Sequence, residues 1–116
     1  MAERTIQVVF SNPYPGRDDE YNQWYDSTHV PEVLAIPGIV SAQRYDLRQL
    51  RREKDAGTEP EFRYLAIYEI EGDPDEVMAK LGAAVRNGDV VMNDSFDRTA
   101  AKLSFWTPHG PKTESR

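Results

Sequence analysis

Between Glu20 and Pro31 the chain concentrates most of the side chains that could do chemistry. His29 follows Tyr25 by four residues and Tyr21 by eight, so the three share one stripe of a helix. Pro31 ends that helix or kinks it just after His29, which puts the imidazole near an apolar interior and near a helix end. The pKa of a histidine can be tuned across neutrality there, as general acid–base catalysis requires. From spacing alone, a histidine that packs and hydrogen-bonds the last helical carbonyls is the simpler interpretation.

Other polar and aromatic side chains could line a binding site beside His29. Asp26, three residues earlier, either orients the imidazole or is a solvated charge on the helix face, and the solvated charge is the simpler interpretation. The aromatic residues of the helix fit a core at least as well as a pocket wall, and phenols on strands either donate into a cavity or pack across strands. Asn12 either binds a ligand or caps the turn at Pro13. The predicted ligand contacts are Asn12, Tyr21, Trp24, Tyr25, Tyr45, Tyr68 and Phe96.

The chain has no cysteine, which excludes disulfides, thiolate nucleophiles, iron–sulfur clusters and cysteine zinc sites. It has two histidines, His29 and His109, and the second lies near the C-terminus. Asp26 and His29 alone are fewer ligands than a stable metal site needs. The sequence contains neither a glycine-rich phosphate loop nor a Gly-x-Ser-x-Gly motif. We therefore expect no metal and no cofactor.

The net charge of −6 has the wrong sign for binding a nucleic acid backbone. The one basic run, between Arg48 and Lys54, is diluted by Glu53 and fits the solvated tip of a hairpin. The N-terminus enters a strand pattern without the apolar stretch of a signal peptide, and no segment is apolar over the length that crosses a bilayer. We expect a cytoplasmic protein that binds neither nucleic acid nor membrane.

Hydrophobic periodicity predicts four strands and two main helices. The strands are predicted over residues 5–12, 39–50, 62–70 and 101–108. The first helix has Asp18 as its N-cap and is followed by a short turn over residues 32–35. The second has Asp73 as its N-cap and Asn87-Gly88 as its stop signal. Residues 89–97 are ambiguous, with a short helix considered.

The order β-α-β-β-α-β is that of the ferredoxin-like α+β fold, with one antiparallel four-stranded sheet. We assign residues 1–110 to a single domain and residues 111–116 to a flexible tail. Both faces of the predicted sheet carry large apolar side chains, with Leu65 and Ile67 on one side of the third strand and Tyr68 on the other. Two helices cover only one face. Because apolar patches of this size seldom stay exposed on a monomer, we expect a second copy to cover the other face, in a homodimer.

Residues 19–45 resemble the EthD-like group of the dimeric α+β barrel superfamily. The shared pattern is N-x-W-Y-x-x-x-H-x-P, read here from Asn22 to Pro31, followed by Pro37-Gly38 and a strand that ends near Arg44-Tyr45. The resemblance implies that two sheets pair face to face as a barrel, with a pocket between each sheet and its helices. Several cofactor-free members of the superfamily use a pocket histidine as acid–base catalyst, and by position that histidine is His29.

Three functions are compatible with this site. The leading hypothesis is a cofactor-independent cyclase or isomerase acting on a small, apolar, carbonyl-bearing metabolite of aromatic or polyketide-like type. His29 would move a proton at a carbon next to the carbonyl, and Asn12 or a tyrosine hydroxyl would stabilise the enolate. The alternative is a non-catalytic protein that binds a hydrophobic ligand, or an accessory protein in a degradation pathway. The third hypothesis is a haem-using monooxygenase with His29 as axial ligand.

Overall fold

The chain folds as strands alternating with helices, in a computed structural model that describes residues 4–57 and 59–116. The strands are β1 (Thr5–Ser11), β2 (Ile39–Asp46), β3 (Tyr64–Ile70) and β4 (Lys102–Trp106). The helices are α1 (Asp18–Trp24), α2 (Val30–Leu34), α3 (Arg51–Asp55) and α4 (Pro74–Asn87), and a π-helical segment, Tyr25–His29, joins α1 to α2. The strands form one antiparallel sheet in the order β2-β3-β1-β4. This arrangement confirms the predicted ferredoxin-like α+β fold.

The strand register sorts the side chains of the sheet onto two faces, because residues directly opposite in antiparallel strands point the same way. Gln7 of β1 lies opposite Tyr68 of β3 on the face that the helices cover, and Val8 lies opposite Ile67 on the other face. The uncovered face is called the outer face below. Its large apolar residues are Ile6, Val8, Phe10, Tyr45, Leu65, Ile67 and Trp106.

Aromatic residues of the first helical stretch form the centre of the core. Tyr21 and Tyr25 are 0% and 2% exposed, and Trp24 packs against both rings. They belong to one cluster of buried residues with Ile70 of β3 and Phe96 of the loop before β4. Burying an aromatic ring stabilises the fold by roughly 2 kcal/mol. This packing holds the helical stretch, and with it His29, against the sheet.

The sequence predicts that Pro31 ends or kinks the helix just after His29, but the helical stretch continues there by way of a π-helical segment. The backbone N–H of Val30 donates to the carbonyl of Tyr25, five residues earlier. Pro31, which has no N–H, lies in the first turn of α2, where a missing donor is tolerated. The wider turn therefore lets the helical stretch continue through the proline. Single π-helical turns occur frequently at functional sites.

The connection between β2 and β3 differs from its prediction. β2 ends at Asp46 rather than at Leu50, and the short helix α3 follows it. The carboxylate of Glu53 accepts a hydrogen bond from the Leu50 N–H, which stabilises the start of α3. The charged residues of the predicted hairpin tip therefore form a single exposed helical turn.

Residues 89–97 contain no helix, so the short helix considered for them is wrong. The Asp97 N–H donates to the carbonyl of Asn12, and the Tyr14 N–H donates to the carbonyl of Ser95. These backbone hydrogen bonds tie the segment to the loop after β1, and they place Phe96 beside the core.

The predicted N-cap and stop signal of α4 are correct, and the predicted N-cap of α1 is wrong. A carboxylate oxygen of Asp73 caps α4, and Gly88 ends it with a φ of +83°, in the left-handed region that favours glycine. Asp18 is the first residue of α1 rather than its N-cap. Its carboxylate instead accepts hydrogen bonds from Arg63 and from the hydroxyl of Tyr64 on β3.

Residues 107–116 are exposed and contain neither helix nor strand. In the described ranges 4–57 and 59–116, none of the helices has the length and apolar content that crossing a membrane would take.

Candidate functional site

A cavity of about 220 Å³ lies between the covered face of the sheet and the helices. Most of its lining is aliphatic or aromatic, and the described residues around it include no lysine, arginine, aspartate or glutamate. Its polar groups come from Gln7, Tyr25, His29 and Tyr68. The apolar lining consists of Val9, Val33, Leu81, Val85, Val90, Met92, Phe96, Ala101 and Leu103.

His29 reaches the cavity from the end of the π-helical segment. Its ring stacks on Trp24 with the centroids 4.6 Å apart and meets the edge of Tyr25 at 5.0 Å. Its Nδ1 atom is buried and has no hydrogen-bond partner within residues 4–57 and 59–116. Burial lowers the pKa of His29 to about 4; the carboxylate of Glu32 opposes that shift and the charge of Arg44 adds to it. The imidazole is therefore neutral at pH 7.

Two phenols share the cavity with His29. Tyr68 is 2% exposed, and its hydroxyl oxygen has no hydrogen-bond partner among the described residues. Burial raises the pKa of Tyr68 to about 12 and raises the pKa of Tyr25 further still. Both hydroxyls are protonated at neutral pH and are therefore hydrogen-bond donors.

Gln7 is a polar residue of the cavity that the sequence interpretation missed. It is 2% exposed and lies directly opposite Tyr68 in the sheet. The signal for it was available, because the alternation of β1 puts Gln7 on the same face as Val9. A buried amide on the inner face of a central strand needs a polar partner.

Arg44 of β2 is the second residue that was missed, and it lies behind the cavity wall. Its side chain is only 16% exposed. Its Nη1 lies 2.7 Å from Asp26 Oδ1, and its Nη2 donates to Asn22 Oδ1 at 2.8 Å. The guanidinium lies over the Tyr25 ring, 4.3 Å from its centroid. Asp26 is therefore bound to Arg44 rather than to His29, and Arg44 holds the π-helical segment against the sheet.

The structure brings Tyr25, His29, Tyr68 and Phe96 together around the cavity. Trp24 contacts His29 from behind, with its indole N–H donating to the carbonyl of Val91. The remaining predicted ligand contacts lie elsewhere.

Tyr21, Asn12 and Tyr45 are not part of the cavity lining. Tyr21 is fully buried in the core, where its hydroxyl hydrogen-bonds the hydroxyl of Ser11. The amide of Asn12 accepts from the Arg63 N–H and donates to a nearby carbonyl, so it joins two backbone segments. Tyr45 is 47% exposed on the outer face, because its neighbour Arg44 takes the inward position.

The site does not suit a metal or a haem. Among residues 4–57 and 59–116, no three histidine, aspartate or glutamate side chains are close enough together to hold a metal ion. The cavity is only somewhat larger than one of about 150 Å³ that holds benzene. That room is far below what a haem macrocycle needs, and the lining offers no cation to pair with haem carboxylates.

Comparison with known proteins gives similarity in structure alone. No protein-family model matches the sequence, and no curated protein does. A crystal structure of an ethyl tert-butyl ether D (EthD) family protein from Bacillus halodurans C-125 is similar at a TM-score of 0.53 and 14% identity, covering 94% of this chain and 99% of that one. A proposed monooxygenase from Shewanella loihica PV-4 is similar at a TM-score of 0.60 and 10% identity, over 97% and 99% of the two chains. HapK from Hahella chejuensis is similar at a TM-score of 0.54 and 12% identity, over 99% and 98%. The chain therefore has the fold of an EthD family protein over nearly its whole length, which confirms the resemblance at the level of the fold.

Proposed function

We propose that the protein is a cofactor-independent proton-transfer enzyme of the cyclase or isomerase kind, acting on a small apolar compound that carries a carbonyl group. His29 is the acid–base catalyst, and the cavity beside it is the substrate site. The observation that supports this most is His29 itself, which lines an apolar cavity and has a buried Nδ1 without a partner among the described residues. A neutral imidazole in that position can accept a proton at pH 7.

The proposed reaction moves one proton and one electron pair. His29 takes a proton from a carbon next to the carbonyl, so a C–H bond breaks, an N–H bond forms and the electron pair moves onto the carbonyl oxygen as an enolate. Protonated phenols are the donors available to stabilise that charge. The imidazolium then returns the proton to a different carbon in an isomerisation. In a cyclisation, the enolate carbon attacks a second carbonyl and the imidazolium protonates the new alkoxide.

The low pKa of His29 favours a substrate whose carbon acid is already acidic. A base with a pKa of about 4 is weak, and a proton on a carbon between two carbonyls is the kind it can remove. The transfer also produces an imidazolium next to an enolate, and their attraction in a site of low dielectric offsets part of the desolvation of the two charges. A compound with carbonyls on alternate carbons, as in a polyketide-like chain, meets this requirement.

The proposal includes a homodimer formed through the outer face. Phe10, Tyr45 and Trp106 are 37%, 47% and 59% exposed there, around the less exposed Val8 and Ile67. Contiguous apolar surface of this kind commonly marks an interaction site. A second copy presents the same face and can cover it by two-fold symmetry.

Ketonisation of acetylacetone tests the proposed reaction, because this compound is small enough for the cavity and carries two carbonyls on alternate carbons. The loss of its enol absorbance reports proton transfer directly. We expect the protein to accelerate ketonisation and His29→Phe to lower that acceleration at least about a hundredfold. His109→Gln, which changes the other histidine, is the matched control. The rate should fall as the pH drops through about 4 rather than through 6.5. Full activity in His29→Phe would refute catalysis by this residue.

A second candidate, a carrier that binds a hydrophobic metabolite without turnover, is favoured by the same low pKa of His29 and by the apolar lining. A carrier would bind acetylacetone without changing its rate of ketonisation. Its affinity would also stay constant between pH 5 and pH 8, because His29 remains neutral throughout that range.

A further inference from the structure

Two polar side chains lie side by side on the sheet wall of the cavity. Gln7 and Tyr68 are directly opposite in neighbouring antiparallel strands, so their Cβ atoms are about 5 Å apart and point the same way. Each is 2% exposed, and both line the cavity. The two side chains therefore extend side by side from the sheet along one wall of the cavity.

One of these two side chains, Tyr68, keeps hydrogen-bonding capacity that the described protein does not use. The Tyr68 hydroxyl has no partner within residues 4–57 and 59–116. The amide of Gln7 lines the same cavity, on a residue that is 2% exposed. Because a buried polar group without a partner destabilises the fold, the Tyr68 hydroxyl on the same cavity wall as the Gln7 amide indicates a ligand that hydrogen-bonds there.

The electrostatics of the cavity indicate an uncharged ligand. Its lining carries no lysine, arginine, aspartate or glutamate among the described residues, and His29 is neutral at pH 7. The guanidinium of Arg44, which lies over the ring of Tyr25, already pairs with Asp26. A carboxylate or ammonium group would lose its hydration without meeting an opposite charge, which is strongly unfavourable.

We infer that Gln7 and Tyr68 together bind one carbonyl oxygen of an uncharged, roughly one-ring ligand, with the Gln7 Nε2–H and the Tyr68 O–H both donating to that oxygen. The carbonyl oxygen has two lone pairs and accepts both bonds. A cavity of about 150 Å³ holds benzene, which has six non-hydrogen atoms. In proportion, the cavity of 220 Å³ here holds about nine non-hydrogen atoms. This assignment, which rests on the proposed function for the carbonyl class, makes the pair the site where enolate charge would develop.

Binding of three matched one-ring probes tests the assignment: acetophenone, ethylbenzene, which lacks the oxygen, and benzoate, which carries a charge. Dissociation constants are measured by NMR titration at pH 7. We expect acetophenone to bind about tenfold more tightly than either of the other two, the effect of two modest hydrogen bonds. Gln7→Met and Tyr68→Phe should each lower the preference over ethylbenzene about threefold, and the double variant should abolish it. Gln23→Met makes the same chemical change on the exposed side of α1 and should leave the preference intact.

The outcomes separate this assignment from the proposed function. Equal affinity for acetophenone and ethylbenzene in the unmodified protein, or no binding of acetophenone, overturns the assignment. A loss of the preference for acetophenone over ethylbenzene in His29→Phe would also overturn the assignment, because the carbonyl oxygen would then lie at the imidazole. If His29→Phe retains the preference for acetophenone and also ketonises acetylacetone at an unchanged rate, the oxygen site stands and catalysis by His29 is excluded. If a Gln7 or Tyr68 variant does not fold, the comparison of the three probes in the unmodified protein still decides.

Discussion

The burial of His29 links the stability of the fold to pH, and His29→Phe isolates that link. The pKa of His29 is about 4 in the folded protein against 6.5 for an ordinary histidine, with burial as the main cause. Between those two pH values the unfolded chain binds a proton at this position and the folded chain does not. Proton uptake therefore favours unfolding as the pH falls, and stability decreases from pH 6.5 towards pH 4.

The size of the effect follows from the distance between the two pKa values. Each pH unit in this window removes about 1.4 kcal/mol from the free energy of unfolding. Going from pH 7 to pH 5 crosses about 1.5 units of the window, so we expect a loss of about 2 kcal/mol. The carboxylates whose pKa is lowered in the folded state, Asp18 and Glu69, act in a more acidic window, because their ordinary values are 3.8 and 4.5. The range from pH 7 to pH 5 therefore reports mainly on His29.

Urea unfolding at pH 7 and at pH 5, at one protein concentration, measures this loss. His29→Phe retains an aromatic ring beside Trp24 and removes the titrating nitrogens, so its free energy of unfolding should change by about 2 kcal/mol less than that of the unmodified protein. His109→Gln removes the exposed histidine and should behave like the unmodified protein. Parallel pH dependences for His29→Phe and the unmodified protein would show that the imidazole is not held neutral by burial.

Two further predictions concern the surroundings of the cavity. Arg44→Met should lower the free energy of unfolding by about 2 kcal/mol in urea titration, because it removes the stacking on Tyr25 and leaves Asn22 and Asp26 without their donor. Arg4→Met, which breaks an exposed pair with Glu71, should lower it far less. Equal losses in the two variants would contradict the positioning role of Arg44. Trp106→Glu places a charge on the outer face and should turn a dimer into a monomer, as measured by light scattering. Leu50→Glu, at a similarly exposed position outside the sheet, should leave the dimer intact. If the unmodified protein is already a monomer, the proposed dimer is wrong.

The fold could be predicted because its signals are local. Alternation along β1 and β3, the cap at Asp73 and the glycine at 88 each depend on a few neighbouring residues. The errors arose where distant segments decide the structure. Asp18 is drawn away from capping by Arg63, which lies 45 residues further along the chain. Residues 89–97 take their path from backbone hydrogen bonds to the loop after β1.

The candidate site divides in the same way. Tyr25 and His29 share a cavity wall because the helical stripe predicted from their spacing continues through the π-helical segment, and Tyr68 joins them through strand alternation. Arg44 was missed because its partners Asn22 and Asp26 lie on another element, and only the packing of β2 against that element brings them together. The same packing sends Tyr45 to the outer face.

The energetic cost of the cavity is itself an argument that the cavity has a function. A phenylalanine at position 68 would fill the same space without a buried hydroxyl that lacks a partner, and such a hydroxyl costs about 1 to 3 kcal/mol. Burial of His29 costs about as much again once the pH approaches 4, and an apolar side chain there would avoid it. Gln7 places an amide on the cavity wall, although Val9 on the same face of the same strand shows that an aliphatic side chain fits there. These three side chains line one cavity of 220 Å³, which supports the proposed ligand that hydrogen-bonds there.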